Sequence, residues 1–428
     1  MRLLFLLSFF AVSGCTADDD ARQPLPEGVS PLAASGGINA PAQRDKATVI
    51  LISIDGFRWD YAELFDTPTL DRLAEGGVRA EAMVPVFPTL TFPNHYSIAT
   101  GLYPGNHGIV ANTFPSRDGT RWYNYRQRET VQDGSWYGGE PVWVAAERNG
   151  MVSAAFFFVG TEADIGGVEA SYWRPFDYGV SGNDRVDQVL EWLAMPEDTR
   201  PHLVTMYFED VDVASHSHGP ESAENRYAVA QIDAYLKRLM QGVAALPVGD
   251  SVYFVIVSDH GQSAYKESEK PFVLSDHVNL EGISIVDGGS MSFLYFDRPD
   301  KERAARIRDD INESWQHGRA WLREEAPTEF HVPANSDFPE LIVLADPQHA
   351  VTSERDPTYA LLSGNHGWTP SFEDMHGIFM AAGPRLPKGR RIGRISAVGV
   401  YPLLLEILEL PPNPSIDGDP EKLLPLLQ

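Results

Sequence analysis

Three short apolar runs in this chain each end in acidic residues, and two of these ends also carry a histidine. The runs cover residues 49–55, 203–212 and 252–260, and the last of them ends in Asp259 followed by His260. Short apolar runs rich in β-branched residues are typical of strands buried in a parallel sheet. In open α/β sheets, ligands bind at the carboxyl ends of such strands. Carboxylates and imidazoles at these ends therefore predict a metal site.

The rest of the pattern predicts an α/β fold, with a doubly wound, mainly parallel sheet. Apolar runs alternate with helical patterns from about residue 47 onward, and this alternation favours parallel strands joined by helices. The rhythm breaks at about residues 269–362, which we expect to form a smaller inserted subdomain of a catalytic domain over 47–428. Beyond the three runs, the predicted elements are helices at 69–75, 142–148, 185–193, 221–246 and 403–410, and strands at 152–159, 292–296, 341–345 and 377–382.

The N-terminus predicts export and lipid attachment. Arg2 precedes an apolar stretch, residues 3–12, that is too short to span a bilayer comfortably as a helix. Small residues then lead to Cys15, the one cysteine of the chain, and this arrangement resembles the lipobox of bacterial lipoproteins. It predicts a signal peptide over residues 1–14 and a lipid on Cys15. An ordinary signal peptide with an incidental cysteine is the alternative.

Residues 15–46 are rich in Asp, Pro, Gly, Ala and Ser and show no periodicity, which predicts a flexible tether between the lipid and the folded domain. The protein would then face the periplasm. Thr16 is not the aspartate that retains lipoproteins in the inner membrane, so the outer membrane is favoured. The oligomeric state does not follow from the sequence.

The formal net charge is −26, which limits the possible ligands. Binding to the phosphate backbone normally needs a basic surface, so a nucleic-acid polymer is not expected as the main ligand. Small phosphate esters remain compatible with this charge if metal ions supply local positive charge.

Residues 87–101 carry a second functional signal. Pro93 suits the first turn of a helix and Gly101 suits its end. Thr91 would then lie at the helix N-terminus, where free N–H groups bind anions. A threonine hydroxyl beside a metal ion can lose its proton and attack phosphorus. A threonine in this position can also simply cap the helix, and the segment alone leaves both interpretations open.

Short motifs rich in Asp, His and Gly recur from residue 54 to residue 367. They are IDGFRWDY at 54–61, TFPNH at 91–95, GLYP at 101–104, HGI at 107–109, DVASH at 212–216, SDHG at 258–261 and GNHG at 364–367. In this order they resemble the nucleotide pyrophosphatase/phosphodiesterase family of the alkaline phosphatase superfamily. The resemblance covers most of the chain from Ala47 onward and implies an alkaline-phosphatase-like fold.

The resemblance implies two zinc ions per chain. The first would be held by Asp55, Thr91, Asp259 and His260, and the second by Asp212, His216 and His366. Mixed Asp and His ligands suit zinc better than magnesium or calcium, which prefer oxygen ligands. The four-residue spacing from Asp212 to His216 is one helical turn, so both can face one ion. His218 and His376 lie near these positions, and we expect them to support the site or lie at the surface.

The resemblance also implies a mechanism with Thr91 as the nucleophile. Attack on phosphorus would leave a phosphothreonine, which water then hydrolyses with overall retention of configuration. Asn112 matches the family position whose side chain donates to a phosphoryl oxygen, and the backbone amide of Phe92 is expected to join it. From residue type alone, Asn112 is more simply a turn residue.

Substrate class depends on aromatic residues near Thr91. In the resembling family two aromatic side chains sandwich a nucleobase; Phe92 fits the first role and Tyr172 is the candidate for the second, with Trp173 as its alternative. Core packing explains Tyr172 and Trp173 equally well. Phosphomonoesterase relatives place cationic side chains on the doubly charged phosphate. Here the segment where such side chains would be expected, residues 160–164, is acidic, with Glu162 among its residues. A phosphodiester, which carries less charge, is the better fit.

Two positions depart from the family pattern without removing a ligand. Leu90 precedes Thr91 where many relatives carry lysine, and Gln262 follows the SDHG motif where methionine is usual. Both border the expected site and leave the substrate preference open.

Together these features predict an exported, lipid-anchored, two-zinc phosphodiesterase that releases nucleoside 5′-monophosphates. One alternative is a phosphomonoesterase, or a hydrolase of glycerophosphodiester or lysophospholipid head groups. Another is a surface lipoprotein that keeps the fold for binding alone. Sulfatases of the superfamily need a modified cysteine or serine, and Cys15 lies in the export signal.

Overall fold

The computed structural model describes residues 29–266, 270–333, 336–354 and 362–427. The predicted signal peptide and Cys15 lie outside these ranges. The described helices are α1 (Tyr61–Leu64), α2 (Pro68–Gly76), α3 (Thr91–Thr100), α4 (Pro104–His107), α5 (Arg128–Val131), α6 (Val142–Arg148), α7 (Gly182–Leu193), α8 (Asp210–His218), α9 (Ala223–Ala244), α10 (Lys301–Ser314) and α11 (Val400–Ile407). The described strands are β1 (Thr48–Ile54), β2 (Val78–Ala80), β3 (Met83–Val84), β4 (Thr113–Pro115), β5 (Trp122–Asn124), β6 (Ser153–Phe156), β7 (Tyr172–Arg174), β8 (Leu203–Phe208), β9 (Val252–Val257), β10 (Phe272–Val273), β11 (Ile283–Asp287), β12 (Met291–Phe296), β13 (Gly318–Leu322), β14 (Leu341–Ala345), β15 (Val351–Thr352), β16 (Phe379–Ala382), β17 (Arg390–Ile392) and β18 (Ile395–Ser396).

An eight-stranded sheet forms the centre of the fold, in the order β17-β2-β16-β9-β1-β8-β6-β7. The five strands from β9 to β7 pair in parallel. Strand β16 is antiparallel to both β9 and β2, and β17 pairs in parallel with β2. The predicted mainly parallel α/β sheet is therefore confirmed, with β16 as the strand that reverses direction.

Strand β1 is buried along its whole length because helices cover both faces of the sheet. Val49 and Leu51 pack on one face with residues of α3, α6 and α11. Ile50 and Ile52 pack on the other face with residues of α2, α7 and α9. Successive side chains of a strand point to opposite faces. A strand covered on both faces must therefore be largely apolar, which is why β1 contains the continuous apolar run of residues 49–52.

Strand order brings the three acidic strand ends together. Strand β1 lies between β8 and β9, and the parallel register pairs Ile54 with Phe208 and Ser53 with Val257. Asp55 therefore follows β1 at the level where the chain leaves β8 and β9. Polar side chains placed after these three strands meet at one edge of the sheet.

A second sheet lies within residues 269–362, where the inserted subdomain was predicted. It is antiparallel, with the order β11-β12-β14-β13. Helix α10 contributes Ala304, Ile307 and Ile311 to the apolar cluster on this sheet. Just before β12, the hydroxyl of Ser290 donates to the carbonyl of His366 at 2.6 Å, so this subdomain contacts a predicted metal ligand from behind.

The structure differs from the predicted flexible tether over residues 15–46, because the described part of it, residues 29–46, is bound to the domain. Asn39 is fully buried. Its Nδ2 donates to the carbonyls of Glu197 and Arg200 at 3.0 and 2.7 Å, and its Oδ1 accepts from the amide of Val152 at 2.8 Å. One amide side chain thus forms hydrogen bonds with backbone groups of two loops. The sequence around Asn39 has no periodicity, so it did not indicate these contacts.

Helix ends agree with the predictions to different degrees. Helix α6 has the predicted bounds of 142–148, whereas α11 begins at Val400, three residues before the predicted 403. Pro402 is tolerated in its first turn, where a missing N–H loses no helical partner. Within the described ranges, no helix combines the length and the apolar composition that a membrane span requires.

Candidate metal centre

One group of predicted ligands gathers around His260 at the carboxyl edge of the central sheet. The Nε2 atom of His260 lies 3.0 Å from Asp259 Oδ2 and 3.5 Å from Asp55 Oδ1. The hydroxyl of Thr91 lies 3.4 Å from the same nitrogen. One ligand atom from each of Asp55, Asp259 and His260 falls within 4.8 Å of the others, which is compact enough for one ion.

A second group gathers around Asp212. Its Oδ1 lies 3.4 Å from His216 Nε2 and 3.9 Å from His366 Nε2. The rings of His260 and His366 stack with their centroids 3.7 Å apart, so His260 falls within 4.8 Å of both Asp212 and His366. The prediction assigned His260 to the first group alone, and the structure places it between the two groups.

All three imidazoles of these groups present Nε2 to the cluster because their other nitrogen is engaged. In each ring Nδ1 lies at hydrogen-bond distance from a backbone carbonyl, which can only accept, so Nδ1 carries the proton. This leaves the Nε2 lone pair free to bind a metal. The three contacts are His216 to Gly364 at 2.9 Å, His260 to Gly261 at 3.0 Å and His366 to Thr89 at 2.8 Å.

Two carboxylates of the cluster each have one oxygen bonded and one oxygen without a partner. Asp55 Oδ2 accepts from the hydroxyl of Tyr207 at 2.6 Å, and Asp259 Oδ1 accepts from the amide of Gly56 at 3.1 Å. Asp55 Oδ1 and Asp259 Oδ2 are buried and have no hydrogen-bond partner among the described residues. Buried polar atoms are normally paired, so two unpaired carboxylate oxygens facing imidazole nitrogens fit a bound cation.

The charges of the cluster also fit a cation. Burial, together with the negative charges of Asp259 and Asp212, raises the pKa of Asp55 well above its ordinary value. Burial opposes ionisation of Asp212 as well, but His216 beside it lowers the pKa of Asp212 to about 2. Burial and the neighbouring His260 lower the pKa of His366 to about 3, so this ring is uncharged. Carboxylates held this close without an added cation repel each other.

The hydroxyl of Thr91 is positioned by the first turn of α3. Thr91 is the first residue of the helix, and Gly101 ends it in the left-handed conformation with φ of 69°. The buried Asn94 accepts from the amide of Val86 at 2.7 Å and donates to the carbonyls of Pro88 and Leu90 at 2.9 Å. This one side chain forms hydrogen bonds with backbone groups of the segment that leads into the helix. These bonds fix the position of Thr91 at the helix N-terminus.

His95 joins the same helix to the sheet. Its Nδ1 lies 2.9 Å from the carbonyl of Thr91 and its Nε2 lies 2.8 Å from the hydroxyl of Ser53 on β1. The ring also lies 3.3 Å from Asp259 Oδ2 and is fully buried. The imidazole of His95 therefore sets the distance between the Thr91 backbone and the carboxylate of Asp259.

Asn112 and Phe92 adopt a different arrangement from the predicted pair of donors. The backbone amide of Phe92 donates to Asn112 Oδ1 at 2.9 Å, so it is engaged with the protein. The same hydrogen bond orients the side-chain amide, because a backbone N–H must face the oxygen and not the nitrogen. Asn112 lines the cavity beside Thr91, and its Nδ2 remains as the donor for a ligand there.

Asp212 is placed by a close approach of the turn after β1 to helix α8. A Cβ on Gly56 would lie 3.0 Å from the Cα and 3.1 Å from the Oδ1 of Asp212, and Gly56 has φ of 67°. Only glycine accommodates both the contact and the left-handed backbone. At the start of α8, Glu209 forms a bidentate pair with Arg185, with N–O distances of 2.6 and 2.7 Å, which holds the turn from β8 into the helix that carries Asp212 and His216.

A cavity of about 890 Å³ opens from the metal-ligand cluster, and aromatic rings form one side of it. The volume is that of a site for a small organic ligand. Phe92 packs edge-to-face against Tyr125 with centroids 5.5 Å apart, and Phe176 packs edge-to-face against Tyr178 at 4.6 Å. Tyr178 is 71% exposed, so much of its ring is free to contact a ligand.

Tyr172 and Trp173, the predicted partners of Phe92, do not line this cavity. Tyr172 lies on edge strand β7, where its ring stacks on Trp192 at 6.3 Å, and the indole of Trp173 donates to Glu169 at 3.1 Å. The packing interpretation holds for both. Tyr178 lines the cavity instead. It lies in the loop between β7 and α7, where no periodicity indicates which way a side chain points.

The remaining predicted positions lie as follows. His218 is exposed on the last turn of α8, while the Nε2 atom of His376 lies 2.9 Å from the carbonyl of Pro370. Glu162 lines the cavity, but its oxygens accept from the amide of Phe176 at 2.7 Å and from the side chain of Gln132 at 3.2 Å. Sequence reasoning missed Tyr207, whose only signal was a hydroxyl-bearing residue near the end of an apolar strand.

Comparisons with known proteins agree on one family. The family model described as type I phosphodiesterase/nucleotide pyrophosphatase matches residues 49–377. Human ectonucleotide pyrophosphatase/phosphodiesterase family member 1 is 31% identical over 88% of this chain and 41% of its own length. Venom phosphodiesterase CdcPDE of Crotalus durissus collilineatus is 29% identical over 90% of this chain and 47% of its own length. The chain thus spans less than half the length of these two relatives.

Other similar proteins are matched over most of their length. An uncharacterised pyrophosphatase/phosphodiesterase of Schizosaccharomyces pombe is 30% identical over 91% of this chain and 82% of its own length. The solved structure of human ectonucleotide pyrophosphatase/phosphodiesterase 5 superposes with a TM-score of 0.82 at 28% identity, covering 89% of this chain and all of that one. An inactive threonine-to-alanine variant of the murine protein, in complex with AMP, superposes with a TM-score of 0.83 at 26% identity, covering 90% of this chain and all of that one.

Two histidines of α8 allow a matched test of the metal centre. His216→Ala removes an Nε2 that faces Asp212, so the metal content of the purified chain should fall to about half after dialysis against a mild chelator. His218→Ala, two residues along the same helix and exposed, should keep the full content. Metal is measured by atomic emission. Equal metal contents in the two variants would contradict the assignment of His216.

Proposed function

Because the chain belongs to the type I phosphodiesterase/nucleotide pyrophosphatase family, we propose that it is a two-zinc hydrolase of nucleotide phosphodiester or pyrophosphate bonds. One observation carries this proposal: the Thr91 hydroxyl lies at the N-terminus of α3 and 3.4 Å from His260 Nε2. The same end of the cavity therefore holds a hydroxyl that can act as a nucleophile, a helix N-terminus that can bind an anion, and a group of side chains that can bind metal ions.

The donor set supports zinc as the metal. Asp55, Thr91, Asp259 and His260 would hold one ion, and Asp212, His216 and His366 the other. Neutral imidazole nitrogens combined with carboxylate oxygens are typical zinc ligands, whereas magnesium and calcium favour oxygen alone. When bound, the metal supplies Lewis-acid stabilisation of charge on phosphoryl oxygens and lowers the pKa of a hydroxyl beside it.

The residues of the chain then divide the reaction among them. The Thr91 hydroxyl gives up its proton to solvent, and its oxygen attacks phosphorus, forming a phosphothreonine as the bond between phosphorus and the leaving-group oxygen breaks. Asn112 Nδ2 donates to a phosphoryl oxygen, in an orientation that the amide of Phe92 maintains. Water hydrolyses the phosphothreonine and regenerates Thr91, so two in-line displacements release a nucleoside 5′-monophosphate with overall retention of configuration.

The aromatic side of the cavity supports a nucleotide as the group that stays on phosphorus. Phe92 follows the nucleophile directly in the chain, and Tyr178 offers an exposed ring that lines the same cavity. A nucleobase between them gains stacking on both faces. The murine relative that binds AMP in its solved structure shares this fold, which supports the same class of ligand here.

The positions of the cationic side chains favour a diester over a monoester. The two arginines that line the cavity contact its aromatic side: Arg126 donates to the hydroxyl of Tyr125 at 2.9 Å, and Arg128 donates to the carbonyl of Phe176 at 3.2 Å. Among the described residues, the carboxylates of the metal cluster form ion pairs with histidines and with no arginine or lysine. Of the described residues that line the cavity, no arginine or lysine is thus directed at a phosphate on Thr91 to neutralise a second negative charge.

Export and anchoring complete the proposal. The predicted lipid on Cys15 would tether the catalytic domain to a membrane that faces the periplasm, with the outer membrane favoured. Residues 29–46 contact the domain and would not form part of such a tether.

Thr91→Ala should abolish turnover, because it removes the attacking oxygen. We expect a loss of at least about 10³-fold in kcat, with the metal content close to that of the unsubstituted chain. Thr91→Ser keeps a hydroxyl at the same atom and should retain measurable turnover. The assay uses a nitrophenyl nucleotide ester. Activity of the alanine variant within about tenfold of the unsubstituted chain would remove Thr91 from its role.

Tyr178→Ala and Tyr172→Ala test the base site. Stacking on one ring is worth about 1–3 kcal/mol, so Tyr178→Ala should lower kcat/KM for a nitrophenyl nucleotide ester by about 5- to 150-fold. Its kcat/KM for bis(nitrophenyl) phosphate, which has no nucleobase, should change much less. Tyr172→Ala, outside the cavity, should leave both ratios unchanged.

The same assay decides between substrate classes. For the unsubstituted chain, kcat/KM for the nucleotide ester should exceed that for nitrophenyl phosphate and for a choline phosphodiester. Faster turnover of either of the latter would favour a phosphomonoesterase or a head-group hydrolase. A metal-replete protein with no turnover of any ester would favour a binding lipoprotein.

Cys15→Ser should release the protein from membranes, because the serine cannot carry the thioether-linked lipid. Thr16→Ala, which keeps the cysteine, should remain with membranes. The measurement is the distribution of the protein between membrane and soluble fractions, with kcat determined in both. A serine variant that still sediments with membranes would disprove the anchor.

A further inference from the structure

Gln262 lies behind the metal-ligand cluster, although no role for it followed from the sequence beyond a departure from the usual methionine. It comes two residues after His260 and is fully buried. Its Nε2 donates to Asp212 Oδ1. This is the oxygen that faces both His216 Nε2 and His366 Nε2. The amide therefore contacts the predicted ligand atom itself.

The backbone on either side of Gln262 is held, so its side chain has little freedom to move away. The amide of Gly261 donates to the carbonyl of Met375 at 2.9 Å. Ser263 and Asn365 exchange backbone hydrogen bonds of 2.9 and 2.8 Å, which joins this loop to the residue before His366. Helices and loops that carry ligands are thus connected through residues 261–263.

The other end of the Gln262 amide is poorly satisfied. Its Oε1 is buried without a hydrogen-bond partner among the described residues. A buried acceptor left unpaired destabilises a fold, and methionine, of similar length and without polar atoms, would avoid this cost. Packing therefore does not account for glutamine at this position, and the contact that remains as a reason is the donor to Asp212.

We propose that Gln262 is a positioning residue of the metal centre, which orients Asp212 Oδ1 toward the imidazoles and so raises the zinc affinity of the Asp212–His216–His366 group. The proposal rests on the metal centre of the proposed function. A neutral donor suits this role because it holds a carboxylate in place without cancelling the charge that attracts the metal. Outer hydrogen bonds to metal ligands typically change affinity by about 10- to 100-fold.

The test compares Gln262→Met with Gln188→Met in the full chain. Gln188, on α7, is also buried, with 8% exposed, and its Oε1 accepts a hydrogen bond from Arg174 at 2.8 Å. It therefore controls for the loss of a buried amide outside the site. Each protein is stripped with chelator and titrated with zinc against a competing indicator. For Gln262→Met we expect one of the two zinc ions to bind about 10- to 100-fold more weakly and the other to bind unchanged. Gln188→Met should bind both ions as the unsubstituted chain does.

A second measurement separates positioning from a structural role. The urea midpoint of metal-free Gln262→Met should equal or exceed that of the metal-free unsubstituted chain, because the variant loses an unpaired buried acceptor. Weaker zinc binding with a lowered metal-free midpoint would indicate a structural role and overturn the proposal. Gln262→Asn, whose side chain is too short to reach Asp212, should weaken the binding of the same zinc ion. Failure of both Gln262 variants to fold would also overturn the proposal.

The outcomes for zinc distinguish this inference from the proposed function. If the unsubstituted chain binds two zinc ions and Gln262→Met binds both with affinities within about twofold of it, the role of Gln262 is wrong and the metal centre stands. If the unsubstituted chain binds no zinc while it is folded, the proposed function fails and the inference fails with it.

Discussion

The parallel pairing of β1 with β8 on one side and β9 on the other is the constraint on which the functional site depends. Parallel strands end at the same edge of a sheet, so the residues that follow them are brought together whatever their separation in the chain. Here those residues include Asp55, Asp212 and Asp259. Their charges repel each other and are partly or wholly removed from water, and a bound cation would offset this repulsion.

Much of the surrounding structure holds these groups in place instead of burying apolar surface. Tyr207 occupies one oxygen of Asp55, the Gly56 amide occupies one oxygen of Asp259, and backbone carbonyls occupy Nδ1 of three imidazoles. Each contact takes up the atom that faces away from the cluster and leaves the ligand atom open. Such supporting hydrogen bonds limit the movement of the ligands and fix the tautomers of the rings. Thr91, the proposed nucleophile, is held in the same way by Asn94 and His95.

The regular parts of the fold could be predicted because they obey local periodicity. The runs of β1, β8 and β9 are largely apolar because both faces of the sheet are covered, and α6 has its predicted bounds. The predictions were less accurate where a long-range contact decides the structure. Residues 29–46 have the composition of a tether but are bound through Asn39, and Tyr172 belongs to an edge strand that packs on α7. Tyr178 reaches the cavity from a loop, where sequence gives no rule for side-chain direction.

The sequence by itself determined which chemical groups are available and where strands end, because apolar runs, acidic ends and the TFPNH segment are local patterns of physical origin. It also indicated the family, through short motifs in a particular order. Only the tertiary structure decided that His260 lies between the two ligand groups, that the Phe92 amide is taken by Asn112, and that the Gln262 amide contacts Asp212. These facts depend on distances between side chains far apart in the chain, and such distances follow from strand order, register and packing, which no local pattern encodes.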